Sequence, residues 1–289
     1  MAGTENLDGM RNENAVRGEA GSFAHGPIDW VVGYVHPLVA AKWRCPDGGR
    51  GSSGAAARFR DNGEILYCIR SVRHHASWIR RIHVVLGDDG PGPEGLAEDD
   101  GLRFVRESQI VPKPQPNSET KKLGYHRIPD LAPWFITSDD DMFLGRPVEP
   151  GTFFDETGRP RLGSVHMSWD GMGHVPCPWR RDDYAAAVGA LPFKLRKHFL
   201  GMGCLRDNPW VPIAAWLRGR GCVCPGPRAP DFMINDQNVA DAPALLHALL
   251  AERPRLICIN DDWSEEPQER ARQLTIFHEA MAQLLDHAG

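Results

Sequence analysis

Short apolar runs bounded by turn residues alternate along this chain with stretches whose apolar positions recur every third or fourth residue. That is the pattern of strands alternating with helices around a largely parallel sheet. Ile28-Asp29-Trp30-Val31-Val32-Gly33-Tyr34-Val35 is β-prone and ends at His36-Pro37, which predicts a buried strand delivering its end to a loop. From Arg60 to Trp78, residues Ile65, Leu66, Ile69, Val72 and Ala76 fall at helical spacing, and Ile82-His83-Val84-Val85-Leu86 follows as a central strand stopped by Gly87-Asp88-Asp89-Gly90-Pro91. Leu102-Arg103-Phe104-Val105 reads as another strand, and prolines force an extended loop over Val111 to Pro116. Trp134-Phe135-Ile136-Thr137 then runs into Ser138-Asp139-Asp140-Asp141-Met142-Phe143-Leu144, a buried strand ending in three carboxylates.

Elsewhere the pattern is uneven. Residues 1–26 lack apolar periodicity and read as a flexible tail, so the pattern predicts one α/β domain over 27–289. Residues 47–54 form a Gly-rich loop. The stretch 148–228 reads as a loop-rich insertion with helices around Asp182–Val188 and Ile213–Leu217. Beyond it, Ala242–Glu252 predicts a helix, Arg255–Ile259 a strand and Gln268–Leu285 a closing amphipathic helix.

Composition and the length of apolar runs change this picture in four ways. The 24 prolines and 30 glycines among 289 residues imply many turns and long connections. A net charge of −5 argues against a nucleic-acid partner, which needs a concentrated basic face. No run is long and apolar enough for a transmembrane segment and the N-terminus has no apolar signal core, so the expected location is cytoplasmic. The seven cysteines are odd in number and scattered, as reduced thiols are, and Cys222-Val-Cys224 is too closely spaced for a zinc knuckle.

The candidate chemistry sits at strand ends. Asp139-Asp140-Asp141 is either a solvated acidic turn or a cluster neutralised by a divalent cation, because adjacent carboxylates repel one another. Leu256-Ile257-Cys258-Ile259-Asn260-Asp261-Asp262 repeats the pattern of an apolar strand ending in Asn and Asp. The two ends would share a crevice at the carboxyl edge of a sheet, unless the second merely caps the next helix. Arg58-Phe59-Arg60-Asp61-Asn62-Gly63-Glu64 places cationic and amide groups before a helix, a setting for a pyrophosphate or a simple N-cap. Trp169, Trp179 and Trp210 are candidates for stacking on sugars or for core packing.

The segment from Arg58 to Val72, continuing through Ala76-Ser77-Trp78-Ile79-Arg80-Arg81-Ile82, then Asn117-Ser118, His126-Arg127-Ile128-Pro129-Asp130-Leu131 and Phe135 to Leu144, resembles the second conserved region of the Stealth family of sugar-phosphate transferases. Ile28 to Val35 resembles the family's first region, His174-Val175-Pro176 with Arg206 its third, and Cys258-Ile259-Asn260-Asp261-Asp262 its fourth. Three departures stand out. Tyr34-Val35-His36 replaces the family's Trp-Val-Asp or Trp-Val-Asn, Asp139 replaces the Asn of Asn-Asp-Asp, and Lys122 falls where the family usually has Glu.

The resemblance implies a Rossmann-like, glycosyltransferase-type-A-like α/β fold, a mixed sheet flanked by helices. It also implies transfer of a hexose-1-phosphate, such as N-acetylhexosamine-1-phosphate, from a nucleotide-sugar donor to a saccharide or glycoconjugate hydroxyl. The products would be a phosphodiester and a nucleoside monophosphate, as in polysaccharide synthesis. On this basis Mg2+ or Mn2+ is expected on Asp140, Asp141 and Asp261, with His174, Asp140 and Arg206 as catalytic residues. Asp29, Arg58, Asp61, Asn62, Arg70, Asn117, Ser118, Lys122, His126 and Asn260 are then the substrate-binding candidates. The rival readings are a metal-dependent glycosyltransferase releasing a nucleoside diphosphate, a hydrolase of the same bond, and a catalytically dead nucleotide-sugar-binding protein.

Overall fold

The computed structural model describes residues 25–37, 60–112, 118–163, 174–196, 208–227, 229–235, 238–261, 263–264 and 266–286, without the side chains of 118 and 119. In chain order the strands are β1 (Ile28–Gly33), β2 (Ile79–Leu86), β3 (Leu102–Arg106), β4 (Trp134–Asp139), β5 (Met142–Leu144), β6 (Arg161–Leu162), β7 (Cys177–Arg180), β8 (Cys224–Pro225), β9 (Phe232–Ile234) and β10 (Leu256–Ile259). The helices are α1 (Glu64–His75), α2 (Ser118–Lys122), α3 (Arg181–Ala190), α4 (Trp210–Gly219), α5 (Ala242–Glu252) and α6 (Pro267–Asp286). The main sheet has the order β3-β2-β1-β4-β7, with the first four strands parallel and β7 antiparallel at the edge. A second sheet, β5-β10-β9, pairs β10 antiparallel to β5 and parallel to β9. The expected Rossmann-like mixed sheet flanked by helices is what the chain forms.

β1 is apolar on both faces because it lies between two cores. Trp30 and Val32 pack with Ile65, Ile69 and Val72 of α1, Leu246 and Leu249 of α5, and Phe277 and Met281 of α6. Val31 points the other way, toward Val85, Phe135, Trp179, Tyr184 of α3 and Trp210 and Ile213 of α4. The stretch 148–228 holds the two expected helices, α3 and α4, and adds the antiparallel edge strand β7, all packed in the second core. Trp179 and Trp210 are core residues there, and Trp169 lies outside the described residues. α1 is shorter than its periodicity suggests. It starts after Gly63, whose φ of 83° is a left-handed conformation that glycine adopts without penalty.

Asp29, at the first turn of the pleat in β1, is fully buried and holds the N-terminal edge of the sheet together. Its carboxylate accepts hydrogen bonds from Arg80 Nε and Nη2 at 2.8 and 2.6 Å, pairs with His83 Nε2 at 3.0 Å and accepts the Ala132 amide at 2.8 Å. Burial pushes this carboxyl up, but the bonds from Arg80, His83 and Ala132 outweigh it and hold it below the ordinary carboxylate value. A depressed folded-state value means the stabilisation is present above about pH 4 and is lost as pH falls through the lower folded value. Asp29→Asn should therefore cost about 3 kcal/mol in urea unfolding near neutral pH, with the gap from the unsubstituted protein closing below about pH 4. A variant as stable as the parent at neutral pH would remove Asp29 from this role.

Candidate active site

The two acidic strand ends meet because β5 and β10 are antiparallel. β4 carries Asp139 at its last position, the chain turns through Asp140 and Asp141, and Met142 of β5 pairs with Cys258 of β10. The end of β10 therefore lies beside the end of β4. Ile259 N donates to Asp141 O at 3.0 Å, and Cys258 Sγ lies 3.8 Å from Asp141 Oδ2 and 3.3 Å from Asn260 Oδ1. His174, just before β7, brings Nδ1 to 3.3 Å from Cys258 Sγ. Asp140, Asp141, His174 and Asn260, picked from widely separated segments, thus belong to one cluster.

Its electrostatics are those of crowded anions. Burial, then repulsion from Asp141, Glu64 and Asp139, pushes the Asp140 carboxyl well above the ordinary range. Burial and the neighbouring Asp139 push Asp141 up to about 7. Glu64, the buried first residue of α1, is pushed up chiefly by burial and also by Asp261, against hydrogen bonds from Asn62. The Tyr34 hydroxyl is raised by burial and by its 2.5 Å bond to Asp61 Oδ2.

Around the start of α1 the predicted ligands are committed to one another. Asp61 Oδ1 accepts the Gly63 amide at 2.9 Å, and Asn62 donates its backbone and side-chain N–H groups to Glu64 at 2.8 and 2.6 Å. The helix N-terminus is thereby already answered by carboxylates, which is a different arrangement from an open anion site. Arg60 reaches across to grip both oxygens of Asp261 at 2.9 and 3.0 Å, tying the loop after β10 to the loop before α1.

Two of the departures from the Stealth pattern touch each other. Lys122 Nζ lies 3.6 Å from Asp139 Oδ1 and 4.2 Å from the centre of the Trp210 ring. Trp210 Nε1 donates to Tyr184 Oη, which donates to the Lys122 carbonyl, so the lysine is seated in the second core with its charge at the cluster's rim. Lys121 is buried too, and its Nζ donates to the Tyr34 carbonyl at 2.5 Å. Burial pulls that ammonium down to about 8, opposed by the carboxylates of Glu107, Asp140, Asp88 and Asp139.

Other predicted residues lie elsewhere. Asp29 is at the opposite end of β1 from Gly33, which pairs with Asp139, and its oxygens are spent on the network described above; its place is structural. Arg70 is exposed on α1, about 200° around the helix from Cys68, whose Sγ faces the Asp139 carbonyl, so it points away from the cluster. His126 packs its ring against Tyr184 at 6.0 Å, and burial with help from Arg127 pulls it down to about 4, leaving it neutral at physiological pH. Arg58, Asn117 and Arg206 lie outside the described residues, as does the side chain of Ser118. Sequence reasoning passed over Glu64, Tyr34, Lys121 and Cys258. Only Glu64, an acid directly after the glycine that starts α1, carried a local signal.

The donor chemistry fits a divalent cation. Asp140 and Asp141 offer hard oxygen ligands, and Asp141 Oδ1 is buried with no hydrogen-bond partner among the described residues. Asp261 differs from expectation in having both oxygens bonded to Arg60. No described helix is long and apolar enough to cross a membrane.

Residues 58–162 match the family described as Stealth protein CR2, conserved region 2. The capsular polysaccharide phosphotransferase LcbA of Aeromonas hydrophila is 36% identical over 116 residues, covering 39% of this chain and 31% of that protein. An exopolysaccharide phosphotransferase of Streptomyces coelicolor is 39% identical over 114 residues, 38% of this chain and 21% of its own length. The exopolysaccharide phosphotransferase CpsY of Mycobacterium tuberculosis is 39% identical over 112 residues, 37% of this chain and 21% of its length. The matches thus cover about a fifth to a third of the relatives' length. Among solved structures, the apo-form glycosyltransferase GlyE of Streptococcus pneumoniae TIGR4 overlays with a TM-score of 0.46 at 10% identity, over 90% of this chain and 62% of that one. Residues 58–162 thus resemble the conserved region 2 of Stealth proteins, and the carboxylate cluster at the end of β4 lies within that matched segment.

Proposed function

We propose that this protein transfers a sugar-1-phosphate from a nucleotide-sugar to a saccharide hydroxyl during polysaccharide synthesis. The observation that carries the proposal is the convergence of Asp140, Asp141 and His174, with one Asp141 oxygen buried and without a partner among the described residues. The match to capsular and exopolysaccharide phosphotransferases supports the same reading. Asp140 and Asp141 would hold Mg2+ or Mn2+, while Asp261 serves to anchor Arg60. When bound, the cation neutralises charge on the donor pyrophosphate and on the departing nucleoside monophosphate.

His174 directs Nδ1 to Cys258, so Nε2 is the nitrogen assigned to take the proton of the acceptor hydroxyl. The acceptor oxygen bonds to the phosphorus bearing the sugar, and the bond from that phosphorus to the nucleoside monophosphate oxygen breaks. No bond at the anomeric carbon changes, so the sugar configuration is kept. Lys122 neutralises Asp139, which keeps the extra carboxylate of this chain from repelling the donor phosphates.

Phosphorus NMR of the protein with Mg2+, a nucleotide-sugar panel and mixed saccharide acceptors tests this directly. A nucleoside monophosphate and a new sugar phosphodiester should form, with Asp140→Asn slower by about 100-fold or more; a nucleoside diphosphate without phosphodiester would make the protein a glycosyltransferase.

Asp141 yields a pH prediction. Its value rises from an ordinary 3.8 to about 7 on folding, so the metal-free fold pays for ionising it. Stability from this group is greatest below about pH 4 and declines as pH rises to about 7. Thermal scans of metal-free protein should show Tm falling across that window, Mg2+ restoring it most above pH 7, and Asp141→Asn flattening both effects. A Tm insensitive to Mg2+ at pH 8 would contradict the assignment of Asp141 as ligand.

The Lys122–Asp139 pair predicts a non-additive result. Lys122→Glu should reduce turnover at least about tenfold by placing like charges together, and adding Asp139→Asn should recover most of that loss. Additive losses in the double variant would show that the two side chains do not act as a pair.

A further inference from the structure

In the phosphoryl transfer described above Cys258 only orients His174, yet it occupies the middle of the cluster. It is fully buried in β10, paired across the sheet with Met142, and its Sγ faces His174 Nδ1 at 3.3 Å and Asp141 Oδ2 at 3.8 Å. The donor atoms of the three residues all lie within 4.8 Å of one another. A tetrahedral zinc ion with bonds of about 2.3 Å to sulfur and about 2.0 Å to nitrogen and oxygen sets its sulfur–nitrogen and sulfur–oxygen donors about 3.5 Å apart. The two observed separations bracket that value. Cys258 lies in β10, Asp141 directly precedes its partner strand β5 and is tied to β10 by the Ile259 amide, and His174 sits just before β7, so the arrangement is largely built before any ion arrives.

We infer that Cys258, His174 and Asp141 form a soft-donor site for Zn2+, distinct in chemistry from the carboxylate site for Mg2+, and that zinc bound there switches the transfer off. Thiolate and imidazole select zinc over magnesium, which prefers oxygen. Binding breaks the Cys258 S–H bond, releases the proton to solvent and forms the zinc–sulfur bond without any change of oxidation state. A fourth position falls to water or to Asn260 Oδ1, which lies 3.3 Å from the sulfur. Zinc on Nδ1 fixes the His174 proton on Nε2, so that nitrogen donates and no longer accepts. Asp141 is drawn from the magnesium site at the same time. The switching, though not the binding, rests on the roles given to His174 and Asp141 under the proposed function.

The probe is Co2+, which reports thiolate coordination by its spectrum. Metal-free protein should take up one equivalent of Co2+ with a thiolate-to-cobalt charge-transfer band and intense tetrahedral visible bands, both displaced by Zn2+. Cys258→Ser should lose the charge-transfer band, and Cys258→Ala should bind Zn2+ about 100-fold more weakly by calorimetry. His174→Ala, outside the strands, should weaken zinc to a similar degree and serves as the control if the β10 variants unfold. In the Mg2+-dependent transfer assay, zinc should inhibit the parent protein at concentrations at least tenfold lower than those inhibiting Cys258→Ala. Cobalt binding without a thiolate band, or equal zinc affinity in folded Cys258→Ala or His174→Ala, would overturn the site. A protein with the cobalt spectrum but no phosphodiester product would keep the site and sink the transferase reading, so the two failures are separable.

Discussion

The arrangement depends on a reversal of chain direction between β4 and β5. A buried parallel strand can only present its last residues at the carboxyl edge of the sheet, and here the chain turns at once into a strand that pairs antiparallel with β10. That pairing folds two acidic segments, more than a hundred residues apart in sequence, into one volume. The cost is repulsion among side chains that water no longer screens well. Everything around the reversal addresses that cost: Arg60 grips Asp261, Lys122 faces Asp139, and Lys121 lies buried beneath the ends of β1 and β2.

β1 shows how one strand separates folding from chemistry. Its first residues carry Asp29 in a satisfied buried network, while its last residue, Gly33, lies against Asp139 and leaves room for a neighbour. A Cβ at Gly33 would stand 2.6 Å from Tyr125 Oη, so the absence of a side chain lets that fully buried tyrosine close the floor beside Asp139. Directly after it, Tyr34 uses its carbonyl to hold Lys121 and its hydroxyl to hold Asp61. Backbone and side chain of a single residue thus link α2, β1 and the loop before α1.

Much of this was legible in the order of residues. Short apolar runs bounded by turn residues, and the three-to-four spacing of apolar positions, located β1, α1, β2, β3, β4, α5, β10 and α6 to within a few residues, and the strand-end acids pointed to the edge where they meet. What stayed hidden depends on tertiary pairing. Asp29 has the look of a ligand in the sequence, and only the positions of Arg80 and His83 on the neighbouring strand turn it into a structural residue. Cys177-Pro178-Trp179-Arg180 carries a proline inside a strand, tolerated because β7 is an edge. Lys122 carries only a family-based signal in the sequence and Lys121 none; their burial follows from the acids near them in space, Glu107, Asp140, Asp88 and Asp139 around Lys121 and Asp139 beside Lys122.

The contact between Lys122 and Asp139 also constrains how this sequence was reached. If it descends from a chain with Glu and Asn at the two positions, both had to change, and the order is not arbitrary. Gaining the aspartate first sets two carboxylates against each other in a place already crowded with negative charge. Gaining the lysine first sets a cation beside a neutral amide, among acids that welcome it. The passable route runs through the lysine, and a sister sequence with Lys and Asn is the intermediate this geometry would leave behind.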